Sequence, residues 1–240
     1  MTKPHESRIL QLSFFDHLDE LRSRLIKSLF AILFCSIIFY SFLDPFLKEI
    51  VRPVKQVVFT SPAEAFTARI FLTFLGGFLL ALPIVFYQIW QFVAAGLTEK
   101  ERRYVRIFGV FSFLSFVGGI IFGYFVMLPI SLQFLLGFSS ESMVPMITVG
   151  KYFSFVGSLV LACGIVFELP LILLFLTYIG IATPEFLRQK RRYAIVLIFI
   201  VSAIVTPPDV LTQLLMAVPL MVLYEVGVFF SQWMAKRRAN

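Results

Sequence analysis

Three carboxylates stand where side-chain chemistry is least expected. Glu20 lies in Ser13-Phe14-Phe15-Asp16-His17-Leu18-Asp19-Glu20-Leu21-Arg22-Ser23-Arg24-Leu25, and Glu101 in Leu97-Thr98-Glu99-Lys100-Glu101-Arg102-Arg103-Tyr104. Each acid sits among cations at the border of a long apolar run. An acid so placed can receive a guanidinium group through short, often bidentate, charge-assisted hydrogen bonds. Both also admit a plain structural role. Glu20 precedes Arg24 by four residues, a helical pair worth only about 0.2–0.5 kcal/mol. Glu101 occupies the acid position of a capping box opened by Thr98. Glu168, in Phe167-Glu168-Leu169-Pro170, lies well inside an apolar run. A charge at the centre of a bilayer costs about 2.5–3.5 kcal/mol on insertion scales, which marks such a residue for function or for bonding backbone freed by Pro170.

Other polar residues in apolar runs carry less. Glu225 is close enough to a span end to reach headgroups, and Gln88, Gln91 and Gln213 read as ordinary interfacial residues. Catalysis finds no constellation: His5 and His17 both lie near the N-terminus, and the chain has no HExxH, no Gly-rich phosphate loop and no GxSxG. Cys35 and Cys163 sit alone in separate apolar runs, so neither a disulfide framework nor a metal site is expected. No enzyme activity and no cofactor are expected.

The elements that must position these acids are membrane spans. The chain is 59% hydrophobic and 15% charged over 240 residues, more apolar surface than a soluble fold of this size can hide. Its net charge of +7 comes from cations flanking apolar runs, which suits phospholipid headgroups and not nucleic acid. Six spans are expected: Ile26 to Leu43, Ile70 to Val93, Ile107 to Leu128, Tyr152 to Ile181, Tyr193 to Val205, and Val210 to Phe230. Basic residues cluster before the first span, after the second (Lys100, Arg102, Arg103, Arg106), after the fourth (Arg188, Lys190, Arg191, Arg192) and at the end (Lys236, Arg237, Arg238). By the positive-inside rule both termini are cytoplasmic, with residues 1–25 an amphipathic lead-in retained ahead of the first span. The gaps 44–69 and 129–151 then face outward, and their amphipathic pieces predict short interfacial helices forming a cap.

Helix starts are predicted at Ser13-x-x-Asp16, Ser61-Pro62-x-Glu64, Thr98-x-x-Glu101 and Thr206-x-x-Asp209. Pro83 is expected to bend the second span, Pro129 to end the third helix and Pro170 to kink the fourth. The pair Gly119 and Gly123 predicts close helix packing within the molecule. Tyr193 to Val205 holds thirteen residues, about 20 Å of helix, so the turn Thr206-Pro207-Pro208-Asp209 falls short of the outer surface.

Several of these motifs occur together and in order: His17-Leu18-Asp19-Glu20-Leu21-Arg22-Ser23-Arg24, Tyr87-Gln88-Ile89-Trp90-Gln91-Phe92, Glu101-Arg102-Arg103, Phe167-Glu168-Leu169-Pro170, Thr183-Pro184 before Arg188-Gln189-Lys190-Arg191-Arg192, and Thr206-Pro207-Pro208-Asp209. In this the chain closely resembles the TatC family, the multispanning component of the twin-arginine protein translocase. The resemblance implies an all-α integral membrane protein of six tilted, kinked helices forming a concave wall with an external cap, the last two helices short, as a single domain over residues 1–240. It implies a receptor that binds twin-arginine signal peptides of folded cargo and recruits TatA/TatB-type single-span subunits, using the protonmotive force, as a homo-oligomer in a bacterial-type plasma membrane. Glu20, Glu101 and Arg22 would line the peptide site, Glu168 would offer polar contact to partners, and Pro53 and Asp209 would be functionally sensitive. A proton- or ion-coupled small-solute carrier with Glu168 as its coupling acid is the alternative.

Overall fold

A computed structural model describes residues 4–54, 56–97, 99–139, 145–205 and 210–239; among these the side chains of residues 4–14, 99–101, 103, 205, 211 and 237–239 are not described. The described residues are helical, apart from loops and one isolated β-bridge. The helices are α1 Pro4–Tyr40, α2 Leu43–Val51, α3 Pro62–Ala95, α4 Glu99–Phe122, α5 Leu128–Leu136, α6 Val149–Phe167, α7 Leu169–Tyr178, α8 Pro184–Gln189, α9 Arg191–Val205 and α10 Val210–Ala239.

Among the described residues, five helical stretches are long and apolar enough to cross a membrane: Phe15–Tyr40, Pro62–Ala95, Tyr104–Leu136, Val149–Tyr178 and Thr212–Lys236. Their large apolar side chains are exposed in mid-helix, as with Phe30, Phe34 and Ile37 in α1, the pattern of a protein solvated by lipid. The remaining expected span is α9, whose 15 residues reach only about 22 Å. Its shortness agrees with the length reading. The last helix is not short, however: α10 has 30 residues, because its helical run continues past Phe230 through Trp233 and the terminal basic residues to Ala239.

Pro129 does not end the third span. The helix passes from α4 through a π-helical stretch, Gly123–Met127, into α5, where Pro129 falls in the first turn. The wider π turn carries the Leu128 amide to the Gly123 carbonyl, and this shift of register absorbs the bond that the Pro129 nitrogen cannot make. Ser13 likewise starts no helix, since α1 is already helical from Pro4; apolar Ile9, Leu10 and Leu12 support helix upstream of it. Thr98 and the turn Thr206 to Asp209 lie outside the described residues. The start at Pro62 is as expected, with the Glu64 amide donating to Ser61 Oγ at 3.3 Å.

The chain divides into two compact units, Met1–Phe46 with Arg69–Phe113, and Leu47–Ala68 with Leu114–Asn240. In the first unit, α1 and α3 approach so closely that a Cβ on Gly77 would lie 2.5 Å from the Ser36 Cα. In the second, Gly119 and Gly123 pack on α6, where a Cβ on Gly119 would lie 2.5 Å from the Cys163 carbonyl oxygen. The glycine pair therefore serves packing within the molecule.

Also in the second unit, the two long gaps are knitted together. The Val58 amide donates to Ile147 O at 2.9 Å and the Val149 amide to Val58 O at 2.8 Å, a single parallel bridge. Tyr152 and Tyr124 donate their hydroxyls to the carbonyls of Ile50 (2.6 Å) and Glu49 (3.0 Å) in α2. Glu64 joins the same assembly: one carboxylate oxygen accepts from the Thr60 amide and hydroxyl, both at 2.8 Å, and the other from the Gly150 amide at 2.9 Å. The capping acid thus reaches back one residue beyond the predicted cap and also clamps the start of α6.

Candidate functional site

The lead-in part of α1 is amphipathic, but its apolar side faces outward: Leu18, Leu21 and Leu25 are exposed. The polar side turns toward α3. The His17 ring stacks on Phe92 at 4.5 Å between centroids. Two turns further along α1, Arg24 donates from Nε to Glu20 Oε1 at 2.7 Å and from a terminal nitrogen to Gln88 Oε1 at 3.0 Å. The side chains of Arg24 and Glu20 retain 23% and 33% of their exposure, so the pair is accessible from solution. Helical spacing brings Glu20 to Arg24, and the amide of α3 fixes the guanidinium plane from the other side.

The structural reading of Glu20 is therefore correct as far as it goes. It leaves Glu20 Oε2 without a hydrogen bond to any described residue. Arg24, not Arg22, is the cation that orients the acid; Arg22 is exposed and makes no ion pair with a described residue. Glu101 lies on the first turn of α4, and its side chain is outside the described residues. Pro53 is exposed in a one-turn 3-10 helix, Arg52–Val54, that follows α2. Asp209 lies outside the described residues.

Glu168 marks the break between α6 and α7. Pro170 has no amide to give the Val166 carbonyl, so the Glu168 amide tightens onto Ile165 O at 3.1 Å and α7 restarts with Pro170 in its first turn. The neighbouring Phe167 carbonyl accepts from Ser115 Oγ of α4 at 2.6 Å. Glu168 Oε1 is shielded from solvent. Ser115 was not singled out by sequence, because a serine in an apolar helix gives no sign of which carbonyl it will meet.

Polar residues read as interfacial prove to join helices. Arg191 at the start of α9 donates to Glu225 Oε2 of α10 at 2.6 Å, and Gln213 Nε2 donates to the Phe199 carbonyl at 3.2 Å. Among the described residues no cluster of His, Cys, Asp or Glu could hold a metal ion.

These features define a multi-pass helical membrane protein whose polar groups gather at helix ends and at one helix break. The family model for the Sec-independent protein translocase protein (TatC) matches residues 16–219. The chain is 42% identical over 227 residues to the Sec-independent protein translocase protein TatC of Carboxydothermus hydrogenoformans, covering 92% of this chain and 93% of that one. It is 39% identical over 232 residues to the protein of the same name from Desulforapulum autotrophicum, covering 94% and 86%. A solved structure titled as the twin arginine translocase receptor TatC superposes with a TM-score of 0.81 at 39% identity, covering 90% of this chain and 98% of that one. The chain belongs to the TatC family, a family of protein translocase components and not of enzymes, which displaces the small-solute carrier reading.

Proposed function

We propose that this chain is the receptor and core assembly subunit of a twin-arginine translocase in a bacterial inner membrane. It spans the membrane six times with both termini cytoplasmic, α9 being the short crossing. On this reading Glu20 and Glu101 face the cytoplasm and take the paired arginines of a signal peptide, with Arg22 beside them. The observation that carries the reading is the half-used carboxylate of Glu20: Arg24 holds Oε1 in place, while Oε2 stays available to a second guanidinium.

Arg24 stays on Oε1 and the incoming arginine adds at Oε2. The apolar segment of the peptide then enters the bilayer beside the receptor. Small single-span subunits of the TatA and TatB type are recruited next, with Glu168 offering polar contact within the membrane, and the assembled homo-oligomer exports folded cargo at the expense of the protonmotive force. Pro53 and Asp209 shape the external cap and the last turn that support this assembly.

A photocrosslinker beside the twin arginines of a signal peptide tests the reading. Glu20→Gln should cut crosslinking to this chain about tenfold, the loss of one charge-assisted contact of about 1.4 kcal/mol, while the protein stays folded. Unchanged crosslinking, or labelling of a cysteine at position 20 from the external side only, would remove it.

A further inference from the structure

Between α3 and α4, wholly within the first compact unit, lies a cavity of about 500 Å³. That is the size of a small-molecule site and far larger than a packing defect. Two residues keep it open. Pro83 lines it and interrupts the α3 hydrogen-bond ladder, and Gly109 places no side chain opposite Trp90, whose ring would lie only 3.2 Å from a Cβ there. Ring contacts bridge the two helices around it: Trp90 with Phe108 at 5.9 Å and Phe86 with Phe113 at 6.2 Å.

The lining is graded along its length. Arg102, Arg106 and Gln91 stand at one end, and Phe86, Val110 and Phe113 toward the other. Arg102 and Arg106 are one helical turn apart, both exposed, and neither makes an ion pair with a described residue. The run Glu99 to Arg106 carries four cations against two acids, so the positive excess is not cancelled locally. From Arg102 to Phe113 the helix advances about 16 Å, close to half of a hydrocarbon core about 30 Å thick.

We propose that this cavity binds one anionic glycerophospholipid, its phosphate held by Arg102 and Arg106 and one acyl chain lying along Trp90, Phe86 and Val110. Length and charge choose this occupant. A cleft whose lining on α4 runs from Arg102 to Phe113, about 16 Å of helix, fits the chain of a single leaflet and is too short for a spanning helix. Two arginines beside an indole at the polar rim match a headgroup and its glycerol region, as in basic pockets between membrane helices generally.

Trp90 reports on the site directly, because the chain has only two tryptophans and Trp233→Phe leaves it alone. The full-length W233F protein is placed in phosphatidylcholine vesicles containing a minor fraction of phosphatidylglycerol, with bromine on the acyl chains of either lipid in turn. Brominated phosphatidylglycerol should quench Trp90 at roughly one tenth the mole fraction that brominated phosphatidylcholine needs, as two arginines near a headgroup would give. Adding Arg102→Gln with Arg106→Gln should abolish that preference, and the lysine pair at the same positions should retain most of it. Equal quenching by the two lipids in W233F, or no quenching by either because a peptide or a second chain shields Trp90, would overturn the proposal. So would a preference that survives the glutamine pair, or one that inorganic phosphate at high concentration abolishes while the bulk ionic strength is held constant. The W233F comparison alone decides if the glutamine variant fails to fold.

Discussion

Arg24 binds Glu20 with a single nitrogen, Nε, at 2.7 Å, and spends a terminal nitrogen on Gln88 at 3.0 Å. The fork that could grip a carboxylate with two parallel bonds is thus split between two helices. Glu20 is oriented without being saturated. On the proposed function Arg24 is a positioning residue, and Arg24→Lys, whose single ammonium lacks the planar fork that spans Glu20 and Gln88, should weaken twin-arginine peptide binding about threefold to fivefold. Gln88→Leu should do the same to a smaller degree. Titration of the peptide against both variants checks this, and a gain in affinity would mean that Arg24 competes with the peptide more than it aids it.

Ser115 should matter to the helix break and not to peptide recognition. Its hydroxyl satisfies the Phe167 carbonyl beside the Pro170 kink at 2.6 Å. Ser115→Ala leaves that carbonyl unsatisfied in a partly buried place and should destabilise the protein by about 1 kcal/mol. Thermal unfolding in detergent should show a lower midpoint, with peptide affinity unchanged.

Glu64 ties the two long gaps to one helix start. Glu64→Ala removes the acceptor for the Thr60 amide, the Thr60 hydroxyl and the Gly150 amide together. Hydrogen exchange at the Gly150 amide should accelerate at least tenfold, and Glu64→Gln should fall between the two because it keeps one acceptor oxygen. Protection at Gly150 that survives Glu64→Ala would show that the bridge between Val58 and Thr148 suffices alone.

Gly119 faces backbone, so neither side chain nor solvent can yield to a substituent. A methyl group there meets the Cys163 oxygen at 2.5 Å and the Gly164 Cα at 2.8 Å. Gly119→Ala should lower stability by about 1–3 kcal/mol, and Gly119→Val should prevent accumulation of folded protein. Gly118, one residue away, meets nothing within 4 Å, and Gly118→Ala should be tolerated, which makes the pair a clean comparison of yields.

Much of this was legible in the chain because lipid leaves few choices. Span length, the Pro170 kink, the short helix from Arg191 to Val205 and the packing role of Gly119 follow from apolar run lengths and backbone chemistry. What escaped were contacts between residues distant in sequence. Gln88 reads as interfacial from sequence, since nothing at its position announces Arg24 sixty-four residues earlier. Glu64 was legible as a cap but not as a clamp on Gly150, which comes from a separate gap. Pro129 misled because a proline ends a helix only when its lost bond has no substitute, and the π turn from Gly123 supplies one. Apolar density falls after Phe230 but helical bonding does not, so the last helix runs past the end of the apolar span.

The central claim is that oriented, unsaturated carboxylates recognise guanidinium forks. Affinity of the purified, membrane-embedded protein for a signal peptide bearing two arginines, set against the same peptide with two lysines, tests it most directly. The account predicts at least a tenfold preference for arginine that shrinks in Glu20→Gln. Equal affinity for the two peptides, or a preference untouched by Glu20→Gln, would contradict it.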